Sequence, residues 1–278
     1  MRYLSRIDHA FSDAPVLPLS ENGRYVLFSD CHRGIGTSND NFLKNQHLYF
    51  AALNYYYQHS FCYIELGDGD ELWENRSFSA IQKIHSNVFW LLSLFYEEQR
   101  LFMLFGNHDI AKKDFHPFSD CCFHEGLRLK DCVTGQELYL THGHQADFFN
   151  STLWWLSCFL VRYLWKPLEQ FGVLDPTSAA KNYKVKNKTE QRLQEWTKLH
   201  KKILITGHTH RPVLGSKDSL YFNTGSCVHP RCITCIELVH RELSLVKWTL
   251  STKPDRTLFV AREVLAGPVG LDDLLKYS

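Results

Sequence analysis

The chain has 278 residues, a formal charge of +1 and an aromatic share of 14%. That length suits one large α/β domain, or a domain with a big insertion and a substantial buried core, while the near-neutral charge gives no electrostatic reason to expect nucleic acid as a partner. Nine cysteines lack a disulfide-domain spacing and follow no apolar leader, so a reducing, cytoplasmic setting is expected, and the aromatic share suggests apolar surface beyond an ordinary core.

Residues 1–23 carry Pro and polar turn residues and read as a surface strap. Tyr25-Val26-Leu27-Phe28-Ser29 reads as a strand running into Asp30-Cys31-His32. Asp30 and His32 are two residues apart, which in extended chain places both side chains on one side. Arg33 comes next; a guanidinium there matches phosphate geometry, and a solvated Arg fits the pattern equally well. From Asn41 to His59, Phe42, Tyr49, Leu53 and Tyr56 recur at helical spacing. A helix there returns the chain for a parallel second strand.

That strand, Phe61-Cys62-Tyr63-Ile64-Glu65-Leu66, ends abruptly in Gly67-Asp68-Gly69-Asp70-Glu71-Leu72-Trp73. Asp68 is thereby delivered to a strand's carboxyl end, where ligands bind in open α/β sheets. A helix is expected from Phe78 to Glu98, with an aromatic stripe that reads as core packing. Leu101 to Phe105 then runs into Gly106-Asn107-His108-Asp109, and after a hairpin turning near Thr134-Gly135, Leu138 to Thr141 runs into His142-Gly143-His144.

Residues 147–200 exceed an ordinary connection and read as an inserted helical lid. Its first half, Leu153 to Val161, is apolar nearly all round. Arg162, Lys166 and Pro167 interrupt it before the roughly 20 residues a membrane span needs, which leaves a buried helix, a dimer contact, an apolar substrate groove or peripheral membrane contact. In its second half Lys181, Lys184, Lys188 and Arg192 share one helical face, and Leu193, Trp196 and Leu199 another. The basic face, Lys184 and Lys188 above all, suits a phosphate; its plain alternative is a solvated helix.

Ile203 to Thr206 runs into Gly207-His208-Thr209-His210. Strands follow over Leu220–Asn223, Cys232–Leu238 and Leu243–Thr249, expected to build the second sheet, with a short helix over Leu271–Tyr277. Cys232-x-x-Cys235 lacks the second pair a zinc site needs and lies on strand-like sequence.

A lone Gly-Asp or a single histidine after a strand is usually structural, but five apolar strands each ending in Asp, Asn or His are not. Their oxygens and imidazole nitrogens suit a pair of first-row divalent ions, with Asp68 able to bridge them; Mn is expected, with Fe or Zn as alternatives. In this order the blocks resemble the calcineurin-like metallophosphoesterases, over Asp30 to His210. The resemblance implies an α/β fold of two stacked sheets with outer helices. It also implies that Asp30, His32 and His210 hold one metal with Asp68 while Asn107, His142 and His208 hold the other. His108 is then no ligand but reaches the phosphate or leaving group, oriented by a carboxylate such as Asp109. His144 is an additional candidate for contact with substrate.

The implied chemistry is hydrolysis of a small phosphate ester or pyrophosphate by metal-activated hydroxide. Gly67-Asp68-x-x-Glu71-x-Trp73 and the long insertion are also similar to the UDP-2,3-diacylglucosamine hydrolase branch, whose substrate is nucleotide- and lipid-linked. This chain departs from that branch at His108, where Arg is usual, at Asp70, where an aromatic residue is usual, and at His144, where no histidine is. The substrate is therefore left unassigned. A phosphoprotein phosphatase is the other enzyme reading, and a metal-binding scaffold without activity the third.

Overall fold

The computed structural model describes residues 2–37, 40–114, 118, 122–165 and 182–275. Its first elements are helix α1 (Arg2–His9) and strand β1 (Val16–Leu19), so residues 2–23 are part of the fold and not a strap. Tyr3, Ile7 and Phe11 recur every four residues and are buried, an amphipathic pattern that the nearby prolines masked.

Strands β2 (Arg24–Phe28), β3 (Cys62–Leu66) and β4 (Leu101–Leu104) pair in parallel. The chain crosses between them through α2 (Gln46–Gln58), then α3 (Phe78–Ile84) and α4 (Ser86–Glu97). The single helix expected from Phe78 to Glu98 is thus two. His85 breaks it with a non-helical backbone (φ −101°, ψ 33°) and a fully buried pairing of Nε2 with Asp40 Oδ2 at 3.0 Å.

Next come β5 (Phe123–His124) and the antiparallel hairpin β6 (Gly126–Asp131) and β7 (Glu137–Thr141). Helices α5 (Phe148–Ser151), α6 (Trp154–Leu160) and α7 (Tyr183–His200) occupy the long connection to β8 (Ile203–Thr206). The chain closes with β9 (Tyr221–Asn223), β10 (Cys232–Val239), β11 (Glu242–Thr252), β12 (Leu258–Gly270) and α8 (Leu271–Leu275).

Two sheets result, ordered β12-β11-β10-β2-β3-β4-β5 and β1-β6-β7-β8-β9. The late strands do not build the second sheet as expected. Only β9 joins it, while β10 pairs antiparallel with β2 and carries β11 and β12 onto the first. Strand alternation decides which residues meet between the sheets. Leu27, Ile64, Leu66 and Leu104 from one sheet pack on Leu138, Leu140, Ile203 and Ile205 from the other. Their neighbours Val26, Phe28 and Tyr63 face α2 and α4, and Tyr139 and Leu204 face α1 and α7. The molecule is an α/β sandwich of helices, sheet, sheet and helices.

The long connection divides into two kinds of structure. Trp155, Phe159 and Tyr163 stand exposed in its first half, so that stretch is not buried all round. In α7, Leu193 and Trp196 are in the core, but Leu199 is exposed and does not share their face. Lys181 lies outside the described residues. Among the described residues no helix is long and apolar enough to cross a membrane. Cys232 and Cys235 are three apart on β10, where alternation sends them to opposite faces, so they form no thiolate pair.

Candidate metal centre

Five strand ends converge because β2, β3 and β4 of one sheet and β7 and β8 of the other point their carboxyl ends to the same edge. Asp30, Asp68, Asn107, His142 and His208 each lie one to three residues past such an end. The loops are tied to one another. Asp30 N–H donates to Gly67 O at 3.1 Å, His32 N–H to Asp68 O at 2.9 Å and Gly207 N–H to His142 O at 3.0 Å. The Asn223–Ser226 loop also approaches: Asn223 Nδ2 donates to Gly207 O at 2.6 Å, and Thr224 Oγ1 lies 2.6 Å from Ser29 Oγ.

The backbone is strained where the expected ligands sit. Asp30, His32, Asp68, His208 and His210 are non-glycine residues at φ 52°, 48°, 51°, 67° and 55°. Each left-handed residue costs on the order of 1–3 kcal/mol and persists only where its surroundings over-determine it, which is typical of ligand sites. Gly106 and Gly207 make room: a Cβ at Gly106 would overlap Asp68 Oδ1, and one at Gly207 would overlap Asp30 Oδ2 and Ser29 Oγ.

Three groups of close ligand atoms result among the described residues. Those of Asp30, His32 and His210 lie within 4.8 Å of one another, as do those of Asp68, His142 and His208, and those of His32, Glu71 and His108, which are joined by hydrogen bonds among themselves. In the first, His210 Nε2 is 3.0 Å and His32 Nε2 3.9 Å from Asp30 Oδ1, and the two Nε2 atoms are 3.4 Å apart. In the second, His142 Nε2 lies 3.1 Å from Asp68 Oδ2. Asp68 Oδ2 is also 3.9 Å from His32 Nε2, so the carboxylate stands between these two groups. Asn107 is 1% exposed.

Four ligating atoms here are buried without a hydrogen bond: Asp30 Oδ1, Asn107 Oδ1, His142 Nε2 and His208 Nε2; Asp30 Oδ1 and His142 Nε2 meet only other members of the cluster, His210 Nε2 and Asp68 Oδ2. Buried polar atoms are almost always satisfied, and His142 donates Nδ1 to Leu66 O at 2.9 Å, which turns its other nitrogen's lone pair inward. Stranded oxygens and imidazole nitrogens around a strained cluster are what divalent ions would satisfy. The residues fit a metal pair.

Charge in the cluster is held by mutual pairing against burial. Burial opposes ionisation of Asp68, yet His142, His108 and His32 hold its carboxyl well below the ordinary range. Glu71 is likewise drawn down to about 2 by His108 and His32. Burial pulls His32 down, but the Glu71 hydrogen bond and the charges of Asp68, Glu71 and Asp30 raise it to about 10. At His210 and His144 burial prevails and the pKa falls.

The calcineurin-like phosphoesterase model matches residues 23–212. The chain belongs to this family. Among solved structures, Vps29 from Chaetomium thermophilum is similar at a TM-score of 0.39 and 13% sequence identity, over 87% of this chain and 96% of that one. No curated protein sequence matches this chain.

Some expected site residues lie elsewhere. Arg33 is fully buried and cannot meet a phosphate: its guanidinium forks onto Glu65 at 2.8 and 2.9 Å and onto Asp70 at 2.7 Å. Asp109 does not orient His108. It accepts the N–H groups of Gly106 at 2.7 Å and Gly69 at 3.0 Å, and the Lys112 ammonium at 2.9 Å, so it anchors the loops of Asp68 and Asn107. The carboxylate that orients His108 is Glu71, whose Oε1 is 2.8 Å from His108 Nδ1 while its Oε2 is 2.9 Å from His32 Nδ1. Trp73 stacks on His108 with centroids 4.2 Å apart.

His144 is buried, its ring 5.5 Å from that of His142. Lys184 and Lys188 are exposed on α7, and among the described residues neither makes a hydrogen bond or ion pair in the cluster. Two further residues adjoin it unannounced by any motif. Asp147 caps α5 and lies 3.9 Å from His208 Nε2; an Asp directly before a helix is the signal that marks it. Glu190 on α7 accepts Thr209 Oγ1 at 2.9 Å and pairs with Arg211.

Proposed function

We propose that the protein is a dinuclear metal-dependent hydrolase of a small-molecule phosphate ester or pyrophosphate. The observation that carries this reading is the set of buried ligating atoms on Asp30, Asn107, His142 and His208 that make no hydrogen bond around Asp68. Asp30, His32 and His210 would hold one ion, Asn107, His142 and His208 the other, and Asp68 would be shared. The mixed oxygen and imidazole donors favour Mn, with Fe or Zn as alternatives. Bound there, such ions activate water and offset charge on the phosphoryl group.

The chain's own groups supply the rest. Glu71 holds His108 through Nδ1, which leaves Nε2 as the atom that donates a proton to the departing oxygen. Burial lowers the His108 pKa, but the charges of Glu71 and Asp68 outweigh it and raise the pKa, so the donor form persists upward in pH. Trp73 covers one ring face and keeps the imidazole from turning. Asp109 and Lys112 fix the two loops on which Asp68 and Asn107 ride.

The long connection flanks the centre and would act as a lid. Arg162 donates to Trp73 O at 2.6 Å and to Leu72 O at 3.0 Å, beside His108, and Glu190 grips the His208–His210 loop from the other side. Metal-reconstituted protein is expected to hydrolyse p-nitrophenyl phosphate or its bis ester, and the preferred ester distinguishes monoesterase from diesterase. No turnover of either after loading with Mn, Fe or Zn would overturn the reading.

A further inference from the structure

A cavity of about 430 Å³ lies beside the metal centre, with Arg6, Phe105, Ile110, Glu125, His144 and Trp154 among its lining residues. That volume is within the range of small-molecule sites, about 300–1,000 Å³. Chain geometry places it next to the reacting groups. Phe105 and Ile110 bracket the Gly106-Asn107-His108-Asp109 loop, and His144 is two residues past His142.

Two polar side chains stand at the cavity wall. His144 is 3% exposed, and its Nδ1, closed off from solvent, has no hydrogen bond. Arg6 donates Nε to Gln145 O at 2.9 Å, and among the described residues its terminal nitrogens make no hydrogen bond. Glu125, by contrast, is occupied, accepting Gln145 Nε2 at 3.1 Å. Phe105, Ile110 and Trp154 supply apolar and aromatic surface. Arg6 feels the charge of Asp147 but its fork makes no hydrogen bond among the described residues; a guanidinium fork takes two oxygens of a phosphate, and an indole in the same cavity takes the face of a ring.

We propose that this cavity receives the alcohol side of the ester, a ring-bearing group that carries a phosphate of its own, with Arg6, His144 and Trp154 determining specificity. The inference deepens the hydrolase reading and rests on it for the identity of the bound molecule as substrate.

Titration calorimetry on metal-free protein tests the cavity apart from turnover. The probes are AMP, adenosine and inorganic phosphate, each titrated into wild type, Arg6→Gln and Trp154→Ala. AMP is expected to bind more tightly than adenosine or phosphate, and each substitution to weaken it about tenfold or more, the scale of a lost bidentate or stacked contact. AMP binding no tighter than phosphate, or equal in wild type and Trp154→Ala, overturns the proposal. Should Arg6→Gln not fold, the half-buried Trp154 still decides it. Ester hydrolysis without AMP binding removes the cavity and leaves the hydrolase; AMP binding with no hydrolysis of any ester does the reverse.

Discussion

At the scale of single residues the site separates groups that would hold metal from groups that act on the proton. His108 is tied to Glu71 and stacked on Trp73, and lies outside the Asp30-His32-His210 and Asp68-His142-His208 groups; the group it does form, with His32 and Glu71, is already joined by hydrogen bonds. His108→Ala is therefore expected to keep its metal while turnover falls roughly 10²–10⁴-fold, the usual worth of a general acid; atomic absorption beside steady-state kinetics checks both. Loss of metal with unchanged turnover per ion would show that His108 is a ligand. Gly207→Ala presses a methyl onto Asp30 and Ser29, so it is expected to cost about 1–3 kcal/mol in denaturant unfolding and to weaken metal retention. That the residues expected as ligands meet at one edge was legible because each follows a strand end. The roles of Arg33, Asp109 and Glu71 were not, since they depend on which buried loop lies opposite, and no spacing encodes that.

The element whose two halves diverge is the connection between β7 and β8. Apolar spacing alone cannot tell a buried helix from one that exposes its aromatics, which is why the sequence left the role of Leu153 to Val161 open. Trp196 is buried against Phe11 and Tyr139 and donates Nε1 to Asp8 at 2.8 Å, and Arg192 holds Ala146 O at 2.7 Å. Trp196→Ala is expected to lose about 3–5 kcal/mol, whereas Phe159→Ser is expected to change stability by less than about 0.5 kcal/mol. Urea unfolding of both measures the contrast; equal losses would mean that the exposed stretch is as much a part of the core as α7. The same segment therefore cannot be excised whole, and a test of its role over the site needs surface substitutions.

Across the whole molecule, the two-sheet order was only half readable. Strand existence follows from local alternation, but the allegiance of β10 and β11 depends on β2 having an open edge, and β12 is too exposed to alternate. One device joins the sheets at the end remote from the metal loops. Arg241, between β10 and β11, donates to Asp131 of β6 at 3.0 Å and also pairs with Asp272 of α8. Burial raises the Asp131 carboxyl, but Arg241 and the Thr134 contacts outweigh it and depress the pKa. A depressed carboxylate contributes stability that is present above its unfolded value, near 3.9, and lost as pH falls through the folded one. Arg241→Gln is expected to lose about 1–3 kcal/mol at neutral pH and progressively less toward pH 3, measured by denaturant unfolding of metal-free protein. An unchanged loss at both ends of that range would exclude the pair as its source.

Asp68, at the meeting of five strand ends, would be shared by two metal ions. Metal content after reconstitution and exhaustive dialysis tests it most directly, with wild type beside Asp68→Asn. Two divalent ions per chain in the wild type, and loss of both on the substitution, are the result expected of a shared ligand. A wild type that retains no metal, or an Asp68→Asn variant that still retains both ions, would contradict it.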